Sequence, residues 1–330
     1  MKNILLLQTG GTIAMDPKSE GAELNPEKWA ELLYTEIPEL NEIANLTVQK
    51  VFFEDSSDVN RHHWKLLCDT IHSQYTEYDG FVILHGTDTM SYTASALSFA
   101  FRNLAKPVIF TGSQVPMSKI RSDARRNLVN AVELATWPVP EVAICFNDHL
   151  YRGNRSTKMS IGDFDAFTSP NFPLLAEIGI DIVLADHILK PQGELSCYPD
   201  FDDSIHVVKL HPNLNTKLLN CIDLNLTRAI ILEAFGSGNI PVKGEYNMLP
   251  FVEKCRKNGC HVIITSQAAY DAVNLDLYTS GKALKQRGAL SAGKMTMEAT
   301  ITKTMHLLKM GFADDQFNSQ FMGSLAGERD

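Results

Sequence analysis

Short clusters of hydroxyl, carboxylate and glycine residues punctuate the first third of the chain. They are Thr9-Gly10-Gly11-Thr12, Asp55-Ser56-Ser57-Asp58, His85-Gly86-Thr87-Asp88-Thr89 and Thr111-Gly112-Ser113-Gln114. Each follows an apolar run. Glycine lets backbone N–H groups approach a ligand and face a developing negative charge. A hydroxyl attacks a carbonyl carbon once a base takes its proton. The sequence carries no G-x-S-x-G elbow, no H-E-x-x-H helix and no Walker loop. A threonine nucleophile served by a lysine base therefore stays open as a chemistry for these residues.

The elements that must position them read as alternating strands and helices. "ILLLQT" is a short buried strand ending at Gly10, and Asn25-Pro26 opens a helix, with Asn as cap and Pro at the first helical position. Residues 46–53 and the segments "GFVILH", "PVIFTG" and "EVAICFN" are further strands. Helices are expected at 60–76, with Trp64, Leu67, Cys68 and Ile71 on one face, at 91–101, and at "SDARRNLVNAVELAT" capped by Ser122. Continuous apolar strands between helices predict an α/β fold: a larger N-terminal domain whose mainly parallel sheet is flanked by helices. Ligands of such sheets sit outside the carboxyl ends of the strands, which is where all of these clusters fall.

The alternation lapses at "HILKPQGELSCYPDFDDS" and then restarts. The expected division is residues 1–186 as catalytic domain, 187–204 as linker, and 205–330 as a smaller C-terminal α/β domain. That second domain is read as strands "IHVVKL", "RAIILEAF" and "HVIITS", with helices near 214–222, 249–258, 296–310 and 314–322. Met297, Ile301, Met305 and Leu308 stand at helical spacing and read as ordinary core.

Composition narrows the function. The chain has 330 residues, 44% hydrophobic and 21% charged, a packed globular profile. A net charge of −9 argues against nucleic-acid partners and against an anionic membrane surface. No apolar run approaches the ~20 residues of a membrane helix. The start "MKNILLLQTGG" stops being apolar too soon for a signal peptide, so a cytoplasmic protein is expected. The six cysteines lack disulfide-framework or zinc-site spacing and read as reduced thiols. Neither metal nor organic cofactor is called for.

"TGGTIA" at 9–14 and "HGTDTM" at 85–90 resemble the two signature segments of the bacterial-type L-asparaginases. The resemblance runs through "DSSD" at 55–58, "KPVIFTGSQVP" at 106–116, "RSDARRNL" at 121–128, "YRGNRSTK" at 151–158 and "FDAFTSPN" at 164–171. It continues in "FGSGNIP" at 235–241 and "MTMEATITK" at 295–303, and is nearest the cytoplasmic type I branch. It implies hydrolysis of the side-chain amide of L-asparagine to aspartate and ammonia through an acyl-enzyme. Thr12 matches the nucleophile, Thr87 and Asp88 the second threonine and its carboxylate, and Lys158 the catalytic lysine. Which threonine Lys158 serves stays open. Asp55 and Ser56 match the positions that hold the substrate's α-groups. Ser57 and Asp58 border the pocket, and Gly11, Gly86 and Gln114 complete the expected substrate site. Backbone N–H groups near Gly11 and Thr87 are the expected oxyanion donors. Relatives form homodimers or dimers of dimers, so a homo-oligomer is implied.

The chain departs from the family pattern in places. The segment after the first signature, "AMDPKSEGAELNPEKW", has the composition of a lid but lacks the tyrosine that many members carry there. Tyr278, in "LDLYTSGKAL", matches a segment from which some cytoplasmic members supply a tyrosine across subunits. Glu233 and Ala268 stand where one branch places the arginine and cysteine of an activating second asparagine site, so no activation of that form is expected. His85 has no visible catalytic partner and is expected to be structural. The other readings weighed are a glutaminase-asparaginase, a tRNA-linked amidotransferase subunit, and a non-catalytic amino-acid or nucleotide binder. The amidotransferase subunit carries a domain ahead of the first signature, for which a signature starting at Thr9 leaves no room. The nucleotide binder would want G-x-G-x-x-G, which the first turn lacks.

Overall fold

The computed structural model describes residues 1–14, 33 and 35–330. The helix expected from Asn25 and the lid segment both fall largely outside the described residues. The chain forms two compact units, Met1–Asp200 and Phe201–Asp330.

The first unit is built on β1 (Asn3–Gly10), β2 (Asn45–Glu54), β3 (Gly80–Leu84), β4 (Val108–Thr111), β5 (Val142–Phe146), β6 (His149–Arg152), β7 (Ala176–Ile178) and β8 (Ile182–Leu184). Their spatial order is β8-β7-β6-β5-β4-β3-β1-β2. The strands from β2 to β5 pair in parallel, with Ile4 opposite both Leu46 and Gly80. β6, β7 and β8 add on antiparallel. The chain leaves β1 on one side for β2 and returns to its other side for β3. That reversal opens a crevice at the carboxyl ends of β1 and β3, the usual ligand position of an open α/β sheet.

Both faces of the sheet are covered. Ile4, Leu6, Val82 and Leu84 share a core with Leu40 of α1 (Leu40–Ile43) and with Leu128 and Ala131 of α4 (Ala124–Leu134). Their neighbours Leu5, Leu7, Phe81 and Ile83 are equally buried and face the opposite layer. There α2 (Arg61–Ser73) packs on α3 (Met90–Ala100), with Trp64, Leu67, Cys68 and Ile71 turned inward as their spacing requires. Alternation along a strand sends successive side chains to opposite faces, so unbroken apolar runs suit only a sheet buried on both.

Much of the segment expected as a linker is held to the first unit. Cys197 is in register with Phe101, Tyr198 N donates to Ala100 O at 2.8 Å, and Lys65 pairs with Asp200 at 3.3 Å. The second unit has a four-stranded parallel sheet in chain order: β9 (Ile205–Lys209), β10 (Ala229–Ala234), β11 (His261–Ser266) and β12 (Leu290–Ser291). Its helices are α5 (Leu249–Lys257), α6 (Thr279–Lys285), α7 (Met297–Met310) and α8 (Asp314–Met322). The helix expected near 214–222 is instead a 3-10 turn, Thr216–Cys221. Inside this unit Lys303 and Glu328, both fully buried, form an ion pair at 2.5 Å. Lys303 also donates to Phe321 O and Gly323 O, while Leu325 N and Ala326 N donate to Glu328. No helix among the described residues is long and apolar enough to cross a membrane.

Candidate active site

The strand ends lock together through glycine. Gly11 has φ +82°, and a Cβ there would stand 2.6 Å from Gly86 N. A Cβ on Gly86 would in turn stand 2.7 Å from Ser56 Oγ. The two signatures therefore meet backbone to backbone, and the second lies against the Ser56 side chain, an approach that no larger residue permits at Gly11 or Gly86. Thr9 Oγ1 donates to Leu84 O at 2.6 Å, tying β1 to β3 just below the crevice. Thr12 opens a 3-10 turn, Thr12–Ala14, directly above Gly11, and is half-buried.

Ser56 and Ser57 sit in a second 3-10 turn, Ser56–Asp58. The Asp55 carboxylate caps it, accepting from Ser57 N at 2.8 Å and Ser57 Oγ at 2.6 Å. Those hydrogen bonds hold the Asp55 carboxyl below its usual pKa, so it stays ionised at neutral pH. Ser56 is buried, and Ser57 and Asp58 are exposed.

Lys158 arrives from a strand pair outside the main sheet. The short strand Thr157–Lys158 pairs antiparallel with Phe167–Thr168. Its side chain is 12% exposed and reaches Thr87 Oγ1 at 2.7 Å and Asp88 Oδ1 at 2.6 Å. The lysine thus touches Thr87 directly. Thr87 donates its own proton to Gln114 Oε1 at 3.1 Å, and Gln114 Nε2 donates to Asp163 O at 3.1 Å. Asp88 and Thr89 do not cap the helix they precede: Thr89 Oγ1 donates to Ser56 O at 2.6 Å.

Sequence reasoning missed what holds Gln114. Asp123 is 4% exposed, and its carboxylate accepts from Gln114 N, Val115 N and Asn127 Nδ2, all within 3.1 Å. Asn127 also donates to Gly112 O at 3.0 Å. The i, i+4 spacing of Asp123 and Asn127 was the available signal. Ser122 does accept from Ala124 N, as expected of a residue at the helix start.

His85 is fully committed. Its Nδ1 lies 2.7 Å from Gly86 O, which only accepts, so Nδ1 carries the proton. Nε2 then accepts from Thr93 Oγ1 at 3.0 Å, and Thr93 accepts from Trp64 Nε1 at 3.2 Å. Burial pulls its pKa down to about 4, leaving it neutral and structural. Tyr278 belongs to the second unit, where it precedes α6 with its ring more than half exposed. It is not part of the cluster assembled within the first unit. Glu233 pairs with Lys209 at 3.2 Å, also in the second unit. Among the described residues no group of three or more His, Cys, Asp or Glu side chains is arranged to hold a metal ion.

Hydroxyls, an enclosed lysine and a carboxylate gathered at the switch point of such a sheet define an α/β amidohydrolase. The asparaginase N-terminal domain model matches residues 3–189, and the glutaminase/asparaginase C-terminal domain model matches residues 204–321. The chain belongs to the asparaginase family. It is 38% identical to L-asparaginase 1 of Escherichia coli (strain K12), over 99% of this chain and 98% of that protein. The crystal structure of L-asparaginase I from Vibrio cholerae superposes with a TM-score of 0.91 at 38% identity, covering 100% of this chain and 99% of that one. A glutamyl-tRNA(Gln) amidotransferase subunit from Thermococcus kodakarensis is 31% identical over 99% of this chain and 76% of that protein.

Proposed function

We propose that the protein hydrolyses the side-chain amide of free L-asparagine to L-aspartate and ammonia. The observation that carries this reading is the approach of Lys158 Nζ to Thr87 Oγ1 at 2.7 Å and Asp88 at 2.6 Å, at the strand ends where Gly11 packs on Gly86. Thr12 attacks the amide carbon, and its hydroxyl proton leaves with the amine as ammonia. Backbone N–H groups near Gly11 and Thr87 hold the oxyanion. Water then cleaves the threonine ester, its proton returns to Thr12 Oγ1, and aspartate departs. Lys158, Thr87 and Asp88 form the proton relay, with Lys158 acting as base only after its own proton has moved on. For that step the Thr87 hydroxyl turns from Gln114 toward the neutral amine. Asp55, Ser56 and Asp88 hold the substrate's α-carboxylate and α-ammonium, with Ser57, Asp58 and Gln114 at the border.

The test is an ammonia-release assay on L-asparagine, L-glutamine and D-asparagine. Release from L-asparagine with no RNA present, and a rate lower by about 10³-fold or more in Thr12→Ala, Thr87→Ala and Lys158→Ala, is the expected outcome. Tight asparagine binding without turnover would identify a binding protein. One methylene is worth only ~1–3 kcal/mol, so glutamine is expected to be a weaker substrate and not a silent one. The chain is further proposed to act in the cytoplasm as a homodimer or dimer of dimers, with Tyr278 of a second copy polarising Thr12. Sedimentation of the intact protein tests the assembly, and Tyr278→Phe tests the residue by a drop in kcat.

A further inference from the structure

The second unit holds a pocket of its own, about 460 Å³ in volume, within the range of small-molecule sites. Val273, Leu275 and Leu290 give it apolar walls, with Met322 at the rim. The charged side chains that line it are unequally matched. Lys285 and Asp276 neutralise each other at 2.7 Å. Arg329 has no such partner: its Nη1 donates to the carbonyls of Ser291 and Ala292, each at 3.0 Å, and no side-chain carboxylate among the described residues pairs with it. The acidic neighbours are already committed, Glu328 to Lys303 and Asp330 to Lys294, each at 2.5 Å.

Space has been made for this cation. Gly293, also on the pocket wall, has φ +64°, and a Cβ there would stand 3.0 Å from Arg329 Nη2. Burial pulls the guanidinium below its usual pKa, and the charges of Glu328 and Asp330, each paired elsewhere, offset this only in part. An unpaired cation at the wall of an apolar pocket gains most from an anion that brings apolar surface with it. A carboxylate also suits the planar donor fork of arginine better than a spherical ion does.

We propose that this pocket binds a small organic carboxylate with a compact apolar tail, its head on Arg329 and its tail against Val273, Leu275 and Leu290. The proposal is independent of the chemistry assigned to the first unit. The probe is 4-methylpentanoate, titrated calorimetrically into the full chain beside its uncharged analogue 4-methylpentanamide. Saturable one-to-one binding of the acid is expected, with the amide at least about ten-fold weaker and Arg329→Gln weakening the acid about ten-fold or more. Met322→Trp places a large ring at an exposed rim position and is expected to abolish binding with the unfolding temperature unchanged. Should Arg329→Gln fail to fold, Arg329→Lys keeps the charge without the fork and is expected to bind the acid several-fold more weakly. Equal affinity for acid and amide overturns the proposal. So does full affinity in any of these variants, or no saturation by about 10 mM acid.

Discussion

Thr87 is the residue on which the candidate site turns, because it touches both Lys158 and Gln114. Its hydroxyl proton points at Gln114 Oε1 and its lone pair faces the amine. Valine has nearly the same shape and no hydroxyl. Thr87→Val therefore removes the relay while Lys158 keeps its contact with Asp88 at 2.6 Å. We expect kcat for asparagine to fall by about 10²–10⁴, the usual contribution of general acid–base transfer. KM and the urea midpoint should move little, since the α-groups of the substrate are held elsewhere. A variant that kept its kcat would show that the proton passes through another group. His85, although it adjoins Thr87, is not that group: its ring is tied to Gly86 and Thr93.

At the scale of elements, the turn after β4 shows how a loop is made rigid by a helix that follows it. Asp123→Ala would strand the N–H groups of Gln114 and Val115 and one Asn127 amide hydrogen. Each buried donor left unsatisfied costs about 1–3 kcal/mol. The expected result is a marked loss of stability in urea together with a lower kcat, with Asp123→Asn recovering part of both because it keeps one acceptor. The second unit has a costlier version of the same device. Lys303→Met leaves Glu328 buried without its ammonium, and about 3–5 kcal/mol of stability should be lost. Replacing Glu328 as well, in Lys303→Met/Glu328→Leu, should recover much of it, read from far-UV circular dichroism in urea. How legible these elements were follows from what each one spends its side chains on. The strands "ILLLQT", "GFVILH" and "PVIFTG" could be read because burial on both faces makes them apolar up to their carboxyl ends, where Gln8, Thr9, His85 and Thr111 stand. The α2 face could be read because Trp64, Leu67, Cys68 and Ile71 repeat at helical spacing. β6, β7 and β8 escaped because each has only three or four residues, with polar residues breaking β6 and β7, and α6 because seven residues give too little periodicity. Thr12, Thr87 and Lys158 were legible only through their flanking motifs. Asp123 carries only the weak local mark of its i, i+4 spacing to Asn127, and most of its role comes from contacts across a loop.

On the scale of the whole molecule, each compact unit encloses a histidine that burial keeps neutral, His85 in the first and His261 in the second. Burial lowers both His85 and His261 to about 4 from an ordinary 6.5. His85 is sealed beneath the crevice, and His261 stacks on Phe317 at 3.7 Å beside Asp314 and Arg256. In the unfolded chain both protonate near 6.5, whereas the folded units resist until about pH 4. The unfolded state therefore binds more protons throughout that interval, and stability falls as pH drops from about 6.5 to 4. Each histidine contributes at most one proton to the slope, about 1.4 kcal/mol per pH unit, or ~3 kcal/mol across the window. Glu328 and Asp55 have lowered pKa values, so they extend the loss to still lower pH as they protonate. The two histidines are separable by probe, because all 3 tryptophans, at positions 29, 64 and 137, precede residue 200. His85→Gln should flatten the pH dependence of urea unfolding followed by tryptophan fluorescence between pH 4.5 and 6.5. His261→Gln should flatten the one followed by circular dichroism. An unaltered slope in the His85 variant would mean that this ring already takes up a proton in the folded state near pH 6, and the hydrogen bond from Thr93 to Nε2 would have to be abandoned with it. Flattening of the fluorescence slope by His261→Gln would instead mean that the two units unfold as a single cooperative body.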